Sequence, residues 1–273
     1  MKKIRVWMGV LFVMLLLAAC GEGDSSDGAN AGDQQSGKVL AEEDYAKMYT
    51  EPKKYKGYEV TQSGKVFTEP EYDEDGVYLQ AFADAKNSEK NTILFYADPS
   101  FEVESQQYVQ WTGIVKDEFK GENMMGGKVV APVIEVKDLK VVSYFDVMAP
   151  TLETIELNET QNQHGYELTV EKVEVAKEQF RVFVTVENKT EDNINFYTFN
   201  TKVIADGKQL EEVTIYEDDV ESVQSEILPG VKTSGVIVYP SVGEVEEVRL
   251  YAEGSSDNYD IDIEPFQFDI PLK

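Results

Sequence analysis

Hydrophobic side chains recur at every second position in several short runs of this chain. Phe180, Val182, Val184 and Val186 do so before Asn188-Lys189. Val109, Trp111, Gly113 and Val115 do so in alternation with Gln110, Thr112 and Ile114. Successive side chains of a strand point to opposite faces, so this period commits one face of each run to a core. Between Tyr166 and Val175 the period breaks: Leu168 and Val170 share one parity, Val173 and Val175 the other. A bulge near Glu171-Lys172 would restore their facing, because a bulge sets two residues against one.

The same reading extends along most of the chain. Ala41–Tyr49 is expected to form a short helix that ends at Pro52. Strands follow over Tyr58–Phe67, Val77–Ala83 after the turn Asp73-Glu74-Asp75-Gly76, Thr92–Tyr96, Tyr108–Val115 and Pro132–Val142. Lys120–Lys128 is expected to be a loop. Asp146–Thr151, with Pro150, has the composition of a linker. Beyond it come Tyr166–Val175, the Phe180 run, Lys202–Ala205 ending at the hairpin signal Asp206-Gly207, and Thr233–Tyr239 after Pro229-Gly230. Val248–Tyr251 and Phe266–Ile270 complete about seven strands. The expectation is an all-β chain with one unit over 40–146 and a second, an antiparallel sandwich, over 152–273.

The N-terminus has a different character. Lys2, Lys3 and Arg5 precede the apolar run Val6–Leu17, and Ala18-Ala19 leads into Cys20, the one cysteine of 273 residues. The run is too short for a membrane span, which needs about 20 apolar residues, and it has the layout of a secretory signal. Leu17-Ala18-Ala19-Cys20 resembles the lipobox of bacterial lipoproteins. That resemblance implies cleavage after residue 19 and a diacylglyceryl group on the Cys20 thiol. Two or more acyl chains anchor stably where one does not. With Cys20 acylated, no disulfide is possible within the chain, so stability must come from ordinary cores. Residues 20–39 then form a lipidated tether; Gly21–Lys38 is too polar to order itself and would span on the order of 20–25 Å.

Two further resemblances follow from the strand and turn patterns. Lys54-Tyr55-Lys56-Gly57, Val60, Gly64-Lys65-Val66, Trp111-Thr112-Gly113-Ile114-Val115 and Ala131-Pro132-Val133-Ile134-Glu135 resemble the OB-like domains of bacterial surface lipoproteins. This implies a small five-stranded barrel. Ser105-Gln106-Gln107 stands where such domains often carry Gly-Asp. Val184–Asn188, Asp206-Gly207 and Leu228-Pro229-Gly230 with Gly235 resemble the immunoglobulin-like domain of Gram-positive lipoproteins, which implies a β-sandwich and a location on the outer face of the cell membrane.

Charge narrows the partners. Lysine and arginine total 25 against 52 carboxylates, a net charge of −27; loss of Lys2, Lys3 and Arg5 with the signal makes the mature value −30. Such a surface repels phosphate backbones, so no nucleic-acid partner is expected. It suits a solvated exported protein, or one whose partner is cationic. One histidine, His164, lies in a polar stretch without a serine or carboxylate tied to it by spacing, so neither a triad nor a zinc site is expected. Asp73-Glu74-Asp75, Glu217-Asp218-Asp219 and Asp257–Asp262 lack the EF-hand pattern. Asp260, Asp262 and Glu264 are expected on the solvated face of a strand, opposite Ile261 and Ile263. No metal and no cofactor is expected.

Aromatics are the better candidates. Tyr78 and Phe82 share one parity, opposite Leu79, Ala81 and Ala83. If the aliphatic set faces inward, the aromatics stand on the face with which OB folds bind ligands; the alternative is that they fill the core. Met124-Met125 lies in the loop before the last strand of that unit, and methionines make adaptable contacts. The expected contact group is therefore Tyr78, Phe82, Met124 and Met125. The expected function is non-enzymatic binding at the bacterial envelope, to an envelope protein or ligand, by a chain held to the membrane through Cys20. The alternatives are a transporter's solute-binding lipoprotein, which needs strands alternating with helices, and a hydrolase using paired carboxylates. Cys20→Ser should block lipid attachment and normal processing; partitioning of both forms alike into the aqueous phase of a detergent cloud-point separation would overturn acylation at Cys20.

Overall fold

Strands dominate the computed structural model, which describes residues 37–122 and 126–273. The first part comprises β1 (Lys38–Val39), α1 (Tyr45–Thr50), β2 (Tyr58–Val66), β3 (Glu71–Tyr72), β4 (Val77–Asp84), β5 (Glu89–Tyr96), β6 (Tyr108–Glu122) and β7 (Lys128–Val142). After α2 (Tyr144–Met148) come β8 (Thr151–Gln163), β9 (Tyr166–Ala176), β10 (Gln179–Asn188), β11 (Ile194–Phe196), β12 (Lys202–Ala205) and β13 (Lys208–Glu211). The last are β14 (Glu226–Ile227), β15 (Lys232–Pro240), β16 (Glu247–Ala252), β17 (Gly254–Ser256) and β18 (Phe266–Pro271). The signal segment, Cys20 and the tether up to residue 36 lie outside the described residues, as do Met124 and Met125. Lys38 and Val39, expected as tether, pair in parallel with Tyr58 and Glu59.

The first seven strands form one sheet in the order β1-β2-β6-β7-β5-β4-β3, and β4 also pairs with β2 at Lys65↔Phe82 and Val66↔Ala81. β5 and β7 run parallel. Gly64 permits the β2–β4 approach: a Cβ there would stand 2.2 Å from the Phe82 carbonyl oxygen. The enclosed core takes Val60, Val66, Val77, Leu79, Ala81, Leu94, Val109, Trp111, Val115 and Ile134, all buried, and Met48 of α1. Gln106, where a Gly-Asp pair was the pattern for comparison, itself adopts φ +74° and its N–H donates to the Val66 carbonyl at 2.8 Å. The expected loop Lys120–Lys128 is largely strand, since Lys120, Gly121 and Glu122 pair with Val130, Val129 and Lys128.

The second part is sandwich-like. Sheet β15-β10-β9-β8 faces β14-β11-β17 and β13-β12-β16-β18 across one core. Phe180, Val182, Val184 and Val186 are buried, as their period requires. Phe183 pairs with Lys172 while Val184 pairs with Val170, so the bulge falls at Glu171 and turns Leu168, Val170 and Val173 all inward. Burial of each such side chain stabilises by about 1.5–3 kcal/mol relative to exposure. Asp206 (φ +48°) and Gly207 (φ +70°) make the two-residue β12–β13 turn. His164 (φ +56°) and Gly165 make the turn from β8 to β9.

Two sequence expectations are corrected here. Asp260–Glu264 is not a strand; Ile263 nonetheless packs against the core. Strand β8, thirteen residues long, was not expected, because only Ile155 and Leu157 in it form a period-of-two apolar pair and the rest is polar save Leu152. Its far half pairs with β9 from Glu159↔Val170 to Gln163↔Tyr166, and two of its side chains also reach the opposite sheet. Gln161 and Gln163 lay their amides along the β18 edge, Nε2 donating to the carbonyls of Gln267 (2.6 Å) and Glu264 (2.7 Å). Their Oε1 atoms accept from the N–H groups of the same two residues.

The segment between the two cores is ordered structure rather than a linker. Ser143 caps α2 through a reciprocal pair with Asp146: Asp146 Oδ2 accepts from the Ser143 N–H, and Ser143 Oγ accepts from the Asp146 N–H. Arg181, fully buried in β10, donates to the Ala149 carbonyl (2.8 Å) and Thr151 Oγ1 (2.6 Å), and pairs with Glu174 at 3.0 Å. Its guanidinium lies 4.3 Å from the Phe145 ring centroid. A fragment starting at residue 152 therefore leaves a buried cation short of two acceptors. It should be about 1–3 kcal/mol less stable than a fragment starting at residue 144, visible as a melting point several degrees lower. Equal melting points would mean that Arg181 finds other partners.

Candidate functional site

The β4 register settles which parity faces outward. Val77, Leu79 and Ala81 are buried, and Tyr78 is 40% exposed. Tyr78 pairs with Phe95 of β5, their ring centroids 4.7 Å apart, and Phe82 stacks on Phe67 at 3.9 Å and 13°. Phe67 is held to β4 by its N–H, which donates to the Gln80 carbonyl at 3.0 Å. The aromatics thus do not fill the core: they form an outward strip of four rings on β4, β5 and the segment after β2.

An acidic turn borders one end of this strip. Glu71 pairs with Tyr78 across β3 and β4. Asp73 Oδ1 accepts from the N–H groups of Asp75 and Gly76, closing the turn. Partial burial, and then the charges of Asp73 and Asp75, push the Tyr78 phenol above its ordinary range. Aromatic faces beside carboxylates attract a cation through ring quadrupole and charge together. Of the expected contact group, the structure describes Tyr78 and Phe82 alone; they share one face but belong to two separate ring pairs.

Sequence reasoning missed the junction between the two cores. Glu217, in one of the acidic runs that lack the EF-hand pattern, accepts from Lys65 Nζ (3.0 Å) and from the Tyr108 hydroxyl (3.0 Å). Asp219 Oδ2 accepts from the Tyr144 N–H at 2.6 Å, so an acid from the second part satisfies the first turn of α2. Clefts flank this contact. One, of about 320 Å³, lies between Ser63, Asp84 and Lys86 on one side and Met148, Lys177 and Glu178 on the other. A second, of about 300 Å³, lies beside Gln106, Tyr108, Glu217 and Asp219. No sequence signal links Lys65 to Glu217, which stand 152 positions apart.

Among the described residues no cluster of three or more His, Cys, Asp and Glu side chains is placed to hold a metal ion, and no helix is long and apolar enough to cross a membrane. No family model matches the chain, and no curated protein matches it. Among solved structures, the yjhA protein from Bacillus subtilis is similar at 18% identity and a TM-score of 0.35, over 44% of this chain and 99% of that one. A functionally unknown protein from Listeria monocytogenes EGD-e is similar at 7% identity and a TM-score of 0.35, over 45% of this chain and 86% of that one.

Burial is the largest cause raising the phenols of Tyr108, Tyr166 and Tyr239, and it pushes Tyr49 up to about 12. These phenols stay protonated in the folded chain after they have ionised in the unfolded one. Their contribution is whole below about pH 10 and is lost as the pH rises beyond it. The urea midpoint should hold between about pH 7 and 9 and fall steeply above about pH 10; a flat midpoint there would contradict the burial of these rings.

Proposed function

We propose that this chain is a lipid-anchored, extracytoplasmic binding protein of the bacterial envelope, without enzymatic activity, that takes a cationic partner on the outer face of β4 and β5. In this reading the ring of pairings β2-β6-β7-β5-β4 is an OB-like barrel, supported by the return of β4 to β2 and by the parallel β5–β7 pair. The sandwich-like second part is read as immunoglobulin-like, supported by its two facing layers and single core. The anchor is Cys20, on the strength of Leu17-Ala18-Ala19-Cys20 behind a basic and apolar leader. One observation carries the binding role: Phe67, Phe82, Tyr78 and Phe95 form a ring strip outside a core already filled by Val77, Leu79 and Ala81, with Asp73 and Asp75 at its end. Loops and outer faces on a rigid β scaffold are where binding concentrates.

Removing Tyr78 and Phe82 together should weaken capture of the envelope partner by about tenfold or more, as loss of aromatic anchors does. The melting temperature should fall by only a few degrees, since neither ring fills the core. Full retention of capture by the Tyr78→Ala/Phe82→Ala protein would remove this face from consideration. Capture lost together with the fold would assign the rings a structural role.

A further inference from the structure

Three rings of this chain lie within reach of a Lys or Arg that is itself paired with a carboxylate. Lys65 Nζ stands 5.0 Å from the Tyr108 ring centroid and pairs with Glu217, which also accepts from the Tyr108 hydroxyl. Lys172 Nζ stands 4.2 Å from the Phe183 centroid and pairs with Glu174. Arg181, 4.3 Å from the Phe145 centroid, pairs with the same carboxylate. Ring face and carboxylate both attract the cation, so the three groups support one another.

At Tyr78 and Phe95 the rings and the carboxylates are present and the cation is not. Glu71 is the cross-strand neighbour of Tyr78, and Asp73 and Asp75 stand near enough for their charges to act on its phenol. Asp73 is spent on closing its turn. Glu71 and Asp75 pair with no Lys or Arg among the described residues, and no cation among them lies over either ring. On the far side of Phe95, Glu135 is already taken by Lys116, so the unanswered charge lies on the Tyr78 side. Away from this end the face continues as apolar surface. Ile93 stands between Gln80 and Val133, and Phe82, four positions along β4 from Tyr78, stacks on Phe67. Four positions of a strand span about 13 Å. A small ion or amine at the rings would leave most of this surface bare, whereas a polypeptide segment with apolar side chains beside a basic one would cover it.

We propose that the Tyr78–Phe95 ring pair seats a lysine or arginine side chain of a polypeptide partner, beside the Glu71 and Asp75 carboxylates, while apolar side chains of the same segment lie along Ile93 and Phe82. This rests on the proposed binding at the outer face of β4 and β5, and it fixes which end of that face takes the charge and what chemistry the partner carries. The net negative charge of the chain draws basic segments in from a distance. The rings and the apolar surface beyond them then select segments that carry apolar side chains next to the basic one.

The test uses residues 20–273 with Cys20→Ser, which keeps every described residue, and a synthetic peptide of Lys-Leu-Ser repeats with its lysines either free or all acetylated. With aromatic side chains labelled in carbon-13, the ring signals of Tyr78 and Phe95 should move on addition of the free-lysine peptide and stay in place with the acetylated one. Glu71→Gln/Asp75→Asn should weaken binding by about fivefold, since an exposed ion pair and a ring contact are each modest. Glu153→Gln/Glu156→Gln, which removes the same charge from the exposed β8, should leave binding unchanged. None of these four carboxylates accepts from a donor among the described residues, so all melting temperatures should match. Equal effects of the two carboxylate pairs, or equal ring movement with the acetylated peptide, would overturn the cation seat and leave the face as a binding surface. So would movement of the Phe67 and Phe82 rings without those of Tyr78 and Phe95. Movement of none of the four rings overturns the seat as well; capture of the envelope partner by the Tyr78→Ala/Phe82→Ala protein then decides the face by itself, so the two readings fail separately.

Discussion

Arg181 holds the second core to the segment that leads into it. A guanidinium placed among β10 side chains loses its water, and burial draws its pKa down; the charge of Glu174 opposes that shift. The cation is kept because its terminal nitrogens are answered by the Ala149 carbonyl, Thr151 Oγ1 and Glu174, and because the Phe145 ring covers it, although Nε has no partner. Glu174 is adapted to the same task. Burial pushes its carboxyl up, but hydrogen bonds from Lys172 and Thr151 and the charge of Arg181 outweigh that and hold it below the ordinary range. Removing one member of such a group leaves an uncompensated buried charge, which is why buried pairs are sensitive to truncation even when their net contribution is small. The path of the chain from α2 into β8 depends on this contact.

The acidic surface has more than one role. Most of the carboxylates are solvated, but Glu217 and Asp219 are spent at the junction, one on Lys65 and Tyr108, the other on the open N-terminus of α2. Asp73 closes the turn beside the aromatic strip, and Glu118 of β6 pairs with Lys53 of the turn before β2. At the junction the carboxylates answer donors drawn partly out of water. Acidity that a sequence shows only as a total is divided, in the fold, between solubility and positioning.

The first part of the chain separates its two kinds of apolar residue by face. Small and branched side chains fill the interior of β4, where β2 crosses close enough to require Gly64. Rings are left on the outside, stacked in pairs that limit their exposure. Near the end of β6 the Phe119 ring likewise lies outside the core, over Gly121.

Much of the local structure was determined by the sequence alone. The period of two made β6 a strand with one buried face and put Phe180, Val182, Val184 and Val186 of β10 into the core, the parity break in β9 required the bulge found at Glu171, and Asp206-Gly207 supplied the positive φ angles of its turn. Each depends on neighbours within a few positions, where the backbone's alternation leaves little choice. The parity of Tyr78 and Phe82 was equally legible, but which parity faced outward was not, because either set could have filled the interior. Tertiary structure decided that. It also decided that Lys65 would meet Glu217, that Gln161 and Gln163 would bind the β18 edge, and that β6 and β7 would run on past their neighbours. A side-chain donor accepts whichever partner the fold brings within about 3 Å, and no spacing along the chain encodes which one that will be.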